Sequence, residues 1–266
     1  DIAPNAEVED ALDRVVGLYG FAIAETQVES DSASPRICAQ FNETLVQAGV
    51  DYDTYVQTPD PRLVVSVNDA QLCIDGVEHG ARYTVIFREG LPSATGETLQ
   101  RDVPLTLYVR DRSPAVRFVG RAYVLPRTGD PAIPVETVNL EALDLTLSRV
   151  GDRAIVQTLR DDLFASPLYA WERDYFEDRV GEVIWTGTAE VAGELNQDRL
   201  TRLPLSEALA GAEPGLYVLD AAIPDADPYE EAPATQWFVL SDIGIATFQG
   251  TDGLTVVTRG LGDALP

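Results

Sequence analysis

The chain has 266 residues, enough for two domains of ordinary size, and 45% of them are hydrophobic, which argues against global disorder. Its 44 acidic against 19 basic residues leave a net charge of −25, and a surface this negative repels phosphate backbones, so nucleic acid and anionic lipid are poor partners. Lysine and methionine are absent, which excludes Schiff-base chemistry and a phosphate-loop lysine.

Residues 1–20 read as a short helix or linker. Val8, Leu12, Val15 and Val16 fall on one helical stripe, which Gly17 and Gly20 end. Asp1–Asn5 is polar rather than a targeting segment, so a mature or truncated chain is expected.

Residues 21–112 carry strand after strand. Arg36–Asn42, Tyr52–Gln57, Leu63–Asn68, Gln71–Asp75, Arg82–Arg88 and Pro104–Arg110 follow one another, with Pro-Asp-Pro, Asn-Asp and Asp-Gly as punctuation. A spacing of roughly ten residues is that of a β-sandwich. Asn68-Asp69 joins two runs tightly enough for a hairpin. In GVEHGARYTVIF a tyrosine opens a strand after a glycine turn, the pattern of the tyrosine corner in Ig-like and fibronectin-like sandwiches, with Tyr83 as the corner residue.

A charged joint, Asp111–Pro114, separates this unit from residues 113–241. There, strands are expected at Val116–Leu125, Val135–Leu140, Leu143–Arg149, Glu182–Val191, Gly215–Ala221 and Thr235–Leu240. LAGAEPGLYVL echoes the earlier corner, with Tyr217 in the corner position. Residues 153–180 form a helical insertion, in which Leu168, Trp171, Tyr175 and Phe176 make a helix-spaced apolar stripe expected to pack on the sandwich. Ser166-Pro167 reads as its N-cap and first helical position. Residues 242–266 hold two strands, Gly244–Gln249 and Leu254–Arg259, around Thr-Asp-Gly, which suggests the start of a third, truncated domain of a larger protein.

Little in the chain points to catalysis. Cys38 and Cys73 each lie in a short apolar run, without CxxC spacing for zinc. A disulfide between them is expected, which implies an oxidising compartment; the alternative is two buried free thiols in a cytosolic protein. His79, the single histidine, sits in a Glu-His-Gly turn, a poor place for a catalytic base. No cofactor fingerprint, metal-ligand spacing or catalytic constellation is present. The LPRTG of Leu125–Gly129 matches a sortase signal but leads into another strand, and Asn42-Glu43-Thr44 is a bare glycosylation sequon. The acidic loop Asp225–Glu231 lacks the spacing and central glycine of a calcium loop and reads as solvated surface.

The wording of YVRDRSPAVRFVGRAYVLPRTGDPAIPVETVN, APATQWFVLSDIG and GTDGLTVVTRGL, in that order, resembles the N-terminal half of bacterial alpha-2-macroglobulins. The resemblance covers most of the chain from about Phe21 onward. It implies an all-β chain of tandem antiparallel, macroglobulin-like sandwiches, the second with the helical insertion. It also implies a periplasmic, broad-range endopeptidase inhibitor that is cut in a bait segment and then collapses around or covalently captures the protease. Many members are lipoproteins held to the inner membrane and work beside a peptidoglycan synthase. These residues contain no Cys-x-Glu-Gln thioester, no bait-like segment and no lipoprotein cysteine, because Cys38 precedes Ala-Gln-Phe and Cys73 precedes Ile-Asp-Gly. They therefore read as scaffold rather than enzyme. The alternative from another class is a tandem Ig-like surface adhesin or ligand-binding module, since fold does not settle function.

Overall fold

The computed structural model describes residues 20–261 apart from 128 and 252, so the stripe expected within residues 6–16 lies outside the described residues. The chain divides into two compact units between Arg112 and Ser113.

The first unit contains β1 (Ile23–Glu29), β2 (Arg36–Phe41), β3 (Val56–Gln57), β4 (Val64–Asn68), β5 (Gln71–Asp75), β6 (Arg82–Phe87) and β7 (Val103–Tyr108). Two antiparallel sheets, in the orders β1-β2-β5-β4 and β3-β6-β7, face one another across a shared core. Ile37, Phe41, Leu72 and Ile74 from the first sheet meet Val85 and Phe87 from the second. Phe41 stacks on Phe21 at 5.0 Å and meets Phe87 edge-on at 6.0 Å. Alternation along β2 and β5 sends Ile37, Ala39, Leu72 and Ile74 into the core and Cys38 and Cys73 to the sheet's other face.

Two sequence expectations fail here. Tyr52–Gln57 is not one strand. A 3₁₀ turn spans Tyr52–Thr54, with Tyr52 buried and its hydroxyl donating to the Val46 carbonyl, and only Val56–Gln57 joins the sheet. The β4–β5 hairpin turns on Asp69-Ala70, one residue beyond the expected pair, because Asn68 still pairs with Gln71 and Asp69 takes the positive φ of 53°.

The second unit contains β8 (Ala115–Phe118), β9 (Ala122–Leu125), β10 (Ala132–Val138), β11 (Ala142–Val150), α1 (Ile155–Arg160), α2 (Ala170–Arg179), β12 (Gly181–Glu190), β13 (Arg199–Pro204), β14 (Gly215–Ala222), β15 (Ala234–Leu240), β16 (Ile243–Gly250) and β17 (Gly253–Gly260). A three-stranded sheet, β13-β10-β8, packs on a five-stranded sheet, β12-β11-β14-β15-β9. Ile133, Val135 and Leu203 of the smaller sheet meet Leu143, Leu145, Leu147 and Leu219 of the larger one. The expected single strand Val116–Leu125 is two strands in different sheets: β8 pairs antiparallel with β10, and β9 pairs parallel with β15. The chain crosses between sheets at Gly120, whose φ of 104° suits glycine and breaks any continuous ladder. The five-stranded sheet is covered on its other face too. Val150, Leu216, Val218 and Trp237 from the sheet pack with Leu168, Phe176 and Val180 of the insertion in a separate apolar cluster. β14 is therefore buried on both faces, like a strand of a three-layer fold.

β16 and β17 pair with each other as a two-stranded hairpin, from Ile243 opposite Gly260 to Gly250 opposite Gly253. Among the described residues, no helix is long and apolar enough to cross a membrane.

Candidate functional site

The features with chemical potential are the cysteine pair, two tyrosine corners, His79 and the helical cap of the second unit. Cys38 and Cys73 are opposite each other in the β2–β5 register, with their Cα atoms 4.1 Å apart and their sulfurs joined. Both are buried, and the bond clips neighbouring strands of one sheet rather than bridging the two sheets.

Tyr83 and Tyr217 both close turns, with opposite polarity. The Glu78 backbone N–H donates to the Tyr83 hydroxyl at 2.8 Å, whereas the Tyr217 hydroxyl donates to the Glu213 carbonyl at 2.5 Å. Tyr217 is fully buried, stacked on Phe238 at 5.4 Å, and that burial raises its phenol above the ordinary range while Arg149 beside it pulls the other way. Tyr217→Phe should cost about 0.5–1.5 kcal/mol, the net worth of the hydrogen bond to the Glu213 carbonyl at a part-buried corner. Urea unfolding followed by tryptophan emission measures this, since every tryptophan lies in the second unit. Tyr83→Phe should cost less, since that ring is only half-buried.

His79 is half-buried rather than exposed, and its Nε2 lies 2.8 Å from the Ser30 carbonyl. With that nitrogen donating, the ring ties the β6 approach to the β1–β2 turn. The next residue of that turn, Asp31, accepts from the Arg110 guanidinium, 3.0 Å from Nη1 to Oδ1. Through that nitrogen the ring is tied to a main-chain carbonyl, unlike a triad histidine oriented by a carboxylate.

The other sequence motifs are absorbed by the fold. Within LPRTG, Leu125 is buried in β9, and Arg127 binds Asp242 through both its backbone N–H (2.9 Å) and Nε (2.8 Å). Those bonds hold the Asp242 carboxyl below the ordinary range. The Asn42 side chain accepts from the Ala22 N–H and donates to the Gly20 carbonyl, so its amide anchors the entry to β1. In the acidic loop, Asp227 receives the Tyr229 N–H on its carboxylate and the Glu230 and Glu231 N–H groups on its carbonyl, a self-capped turn. Among the described residues, no three metal-ligating side chains converge.

The helical cap carries a buried charge pair that the sequence reading missed. Asp220 lies in the middle of β14, in GLYVLDAA, and accepts from Arg173 Nη1 of α2. Arg173 Nη2 also donates to the Leu168 carbonyl at 3.0 Å. Burial pushes the Asp220 carboxyl above the ordinary range, and the Arg173 guanidinium opposes that rise. Trp237 completes the lock: it is fully buried, meets Phe164 and Phe176 edge-on at 5.8 Å, and donates its indole N–H to the Ser166 carbonyl at 2.8 Å. An aspartate inside an otherwise apolar strand was the readable clue, because a carboxylate is buried only with a partner.

The insertion departs from expectation in two respects. Tyr169, not Ser166, caps α2: its N–H donates to the Glu172 carboxylate at 3.2 Å, while the Ser166 hydroxyl turns back to the Asp162 carbonyl. The expected apolar stripe also splits. Leu168 and Phe176 are fully buried against Trp237, but Trp171 and Tyr175 face solvent. A crevice of about 540 Å³ beside the cap is lined by Val116, Phe118, Ser166, Pro167 and Thr235, with Arg117 and Arg121 as its charges. Arg117 is paired with Glu136, and the Ser166 and Thr235 hydroxyls are engaged by backbone groups, so no acid–base or nucleophile pair is assembled there.

The fold defines a class: tandem β-sandwich modules, each with its own apolar core. Residues 117–238 match the family described as the bacterial alpha-2 macroglobulin MG2 domain. Alpha-2-macroglobulins of two Xylella fastidiosa strains, 9a5c and Temecula1, are 27% and 26% identical to the chain over 259 residues, 93% of it. Among solved structures, Salmonella alpha-2-macroglobulin reacted with methylamine is similar over 93% of this chain and 15% of its own (TM-score 0.58, 18% identity). The native conformation of Escherichia coli alpha-2-macroglobulin is similar over 92% of this chain and 16% of its own (TM-score 0.51, 19% identity). Residues 117–238 are thus similar to a bacterial alpha-2-macroglobulin domain, and the chain as a whole has macroglobulin-like β-sandwich architecture. It spans 16% of the length of the Xylella relatives.

Proposed function

We propose that these two modules are a non-catalytic scaffold of a periplasmic, broad-range endopeptidase inhibitor. The carrying observation is similarity to alpha-2-macroglobulins along 93% of the chain, matched to only 16% of their length. On this reading the segment is frame, and bait cleavage and capture of the protease belong to the remainder of the whole protein. Two features support this reading. The buried Arg173–Asp220 pair fixes a helix onto a sheet instead of facing a cleft, and the joined Cys38 and Cys73 sulfurs suit an oxidising compartment.

Cell fractionation tests the compartment. The full-length protein should be recovered from the periplasmic fraction, with Cys38 and Cys73 resistant to alkylation until a reductant is added. Recovery from the cytosol with both thiols alkylated would contradict the proposal.

A further inference from the structure

We propose that the outward face of α2, together with Tyr229, is a docking surface for an arginine-rich segment of a partner protein. Trp171, Asp174, Tyr175 and Asp178 recur at i, i+3, i+4 and i+7, so they share one side of the helix, and all four are exposed. The other side carries Arg173 and Phe176, with Val180 at its end, and it alone fixes the helix to the sheet. Trp171 is 72% exposed, Tyr175 41% and Tyr229 72%, and none of the three belongs to an apolar cluster of the module. They are large rings held in place by a helix that needs nothing from them. The Tyr229 hydroxyl donates to the Asp174 carboxylate at 3.2 Å, so the acidic loop Asp225–Glu231 joins this face and brings the exposed Asp227, Glu230 and Glu231 with it.

Charge complementarity selects the occupant. Aromatic π-faces interleaved with carboxylates suit a planar cation, and a guanidinium can lie over a ring while its N–H groups reach a neighbouring carboxylate. Arginine meets both halves of the surface better than lysine, whose ammonium is a strongly hydrated point charge. The net charge of −25 draws a basic segment toward the protein. A lipid surface is the poorer occupant, because Asp174 and Asp178 between the rings would have to be desolvated. This inference stands independently of the scaffold proposal.

The test uses the full chain and a peptide of five Arg-Ala repeats, followed by the emission of the exposed Trp171 against the constant signal of the buried Trp237 in a Trp185→Phe background, at about 150 mM salt to screen diffuse attraction. The peptide should bind and shift the emission. Trp171→Ser/Tyr175→Ser/Tyr229→Ser, which keeps every charge, should weaken binding roughly tenfold when measured by calorimetry. Asp174→Asn/Asp178→Asn should weaken it similarly, whereas Asp51→Asn/Asp53→Asn, which removes the same charge from the first module, should leave it unchanged. Equal weakening by the two Asn pairs, or no effect of the aromatic substitutions, would show diffuse electrostatics and overturn the proposal. A shift produced by phosphatidylcholine vesicles and not by the peptide would overturn it in favour of a lipid surface.

Discussion

Arg173→Ala should destabilise the second module by about 3–5 kcal/mol near neutral pH, the usual cost of removing one partner from a buried ion pair. The substitution leaves Asp220 in the middle of a strand covered on both faces, with Glu177 the remaining charge that acts on it from α2. The effect should depend on pH with a definite sign. Asp220 holds its proton more tightly in the folded chain than in the unfolded one, so its contribution to stability is greatest below the ordinary carboxylate range. That contribution is lost as pH rises through the folded value. Without Arg173 the folded value rises further, and the buried carboxyl can escape its charge only by keeping the proton. The loss should therefore be smaller at pH 5 than at pH 8. Urea unfolding at the two pH values checks this, and Asp220→Asn should remove this component of the pH slope. Replacing both partners with leucine should cost less than Arg173→Ala alone, because no charge is then stranded.

Cys38→Ser/Cys73→Ser should destabilise the first module by about 4 kcal/mol, the chain-entropy value for a sequence separation of 35. The two residues face each other across the central β2–β5 pair, so the loss should show first in those strands. Hydrogen exchange resolves it: amides of Ile37–Phe41 and Leu72–Asp75 should lose protection, while those of β11 and β14 keep theirs. Unchanged protection in β2 and β5 would mean that the bond contributes nothing beyond the ladder it crosses.

What was legible in the sequence follows from which faces are buried. Strands with one wet face, such as β6, β7 and β10, announced themselves by alternation and turn residues. β1 and β13 did not, for different reasons. β1 is an edge strand with four consecutive exposed residues, so IAETQVE carries almost no apolar period. In β13 the buried position is Leu203 while Leu200 points to solvent, which leaves RLTRLP without a readable phase. The helical stripe misled in the opposite way. Leu168, Trp171, Tyr175 and Phe176 are all apolar enough to pack, but a 3.6-residue repeat turns Trp171 and Tyr175 away from Phe176. The corners at Tyr83 and Tyr217 were visible because a tyrosine after a glycine turn has one economical place for its hydroxyl. The Arg173–Asp220 pair was not, since its partners lie 47 residues apart and only the tertiary fold brings them together.

The scaffold assignment is tested most directly by adding the isolated chain, in several-fold molar excess, to trypsin digesting a protein substrate. Protease activity should be unchanged, because the chain offers neither bait nor thioester and covers only 16% of its relatives' length. Stoichiometric loss of trypsin activity, with the chain itself uncut, would contradict the account and place an inhibitory surface on these two modules.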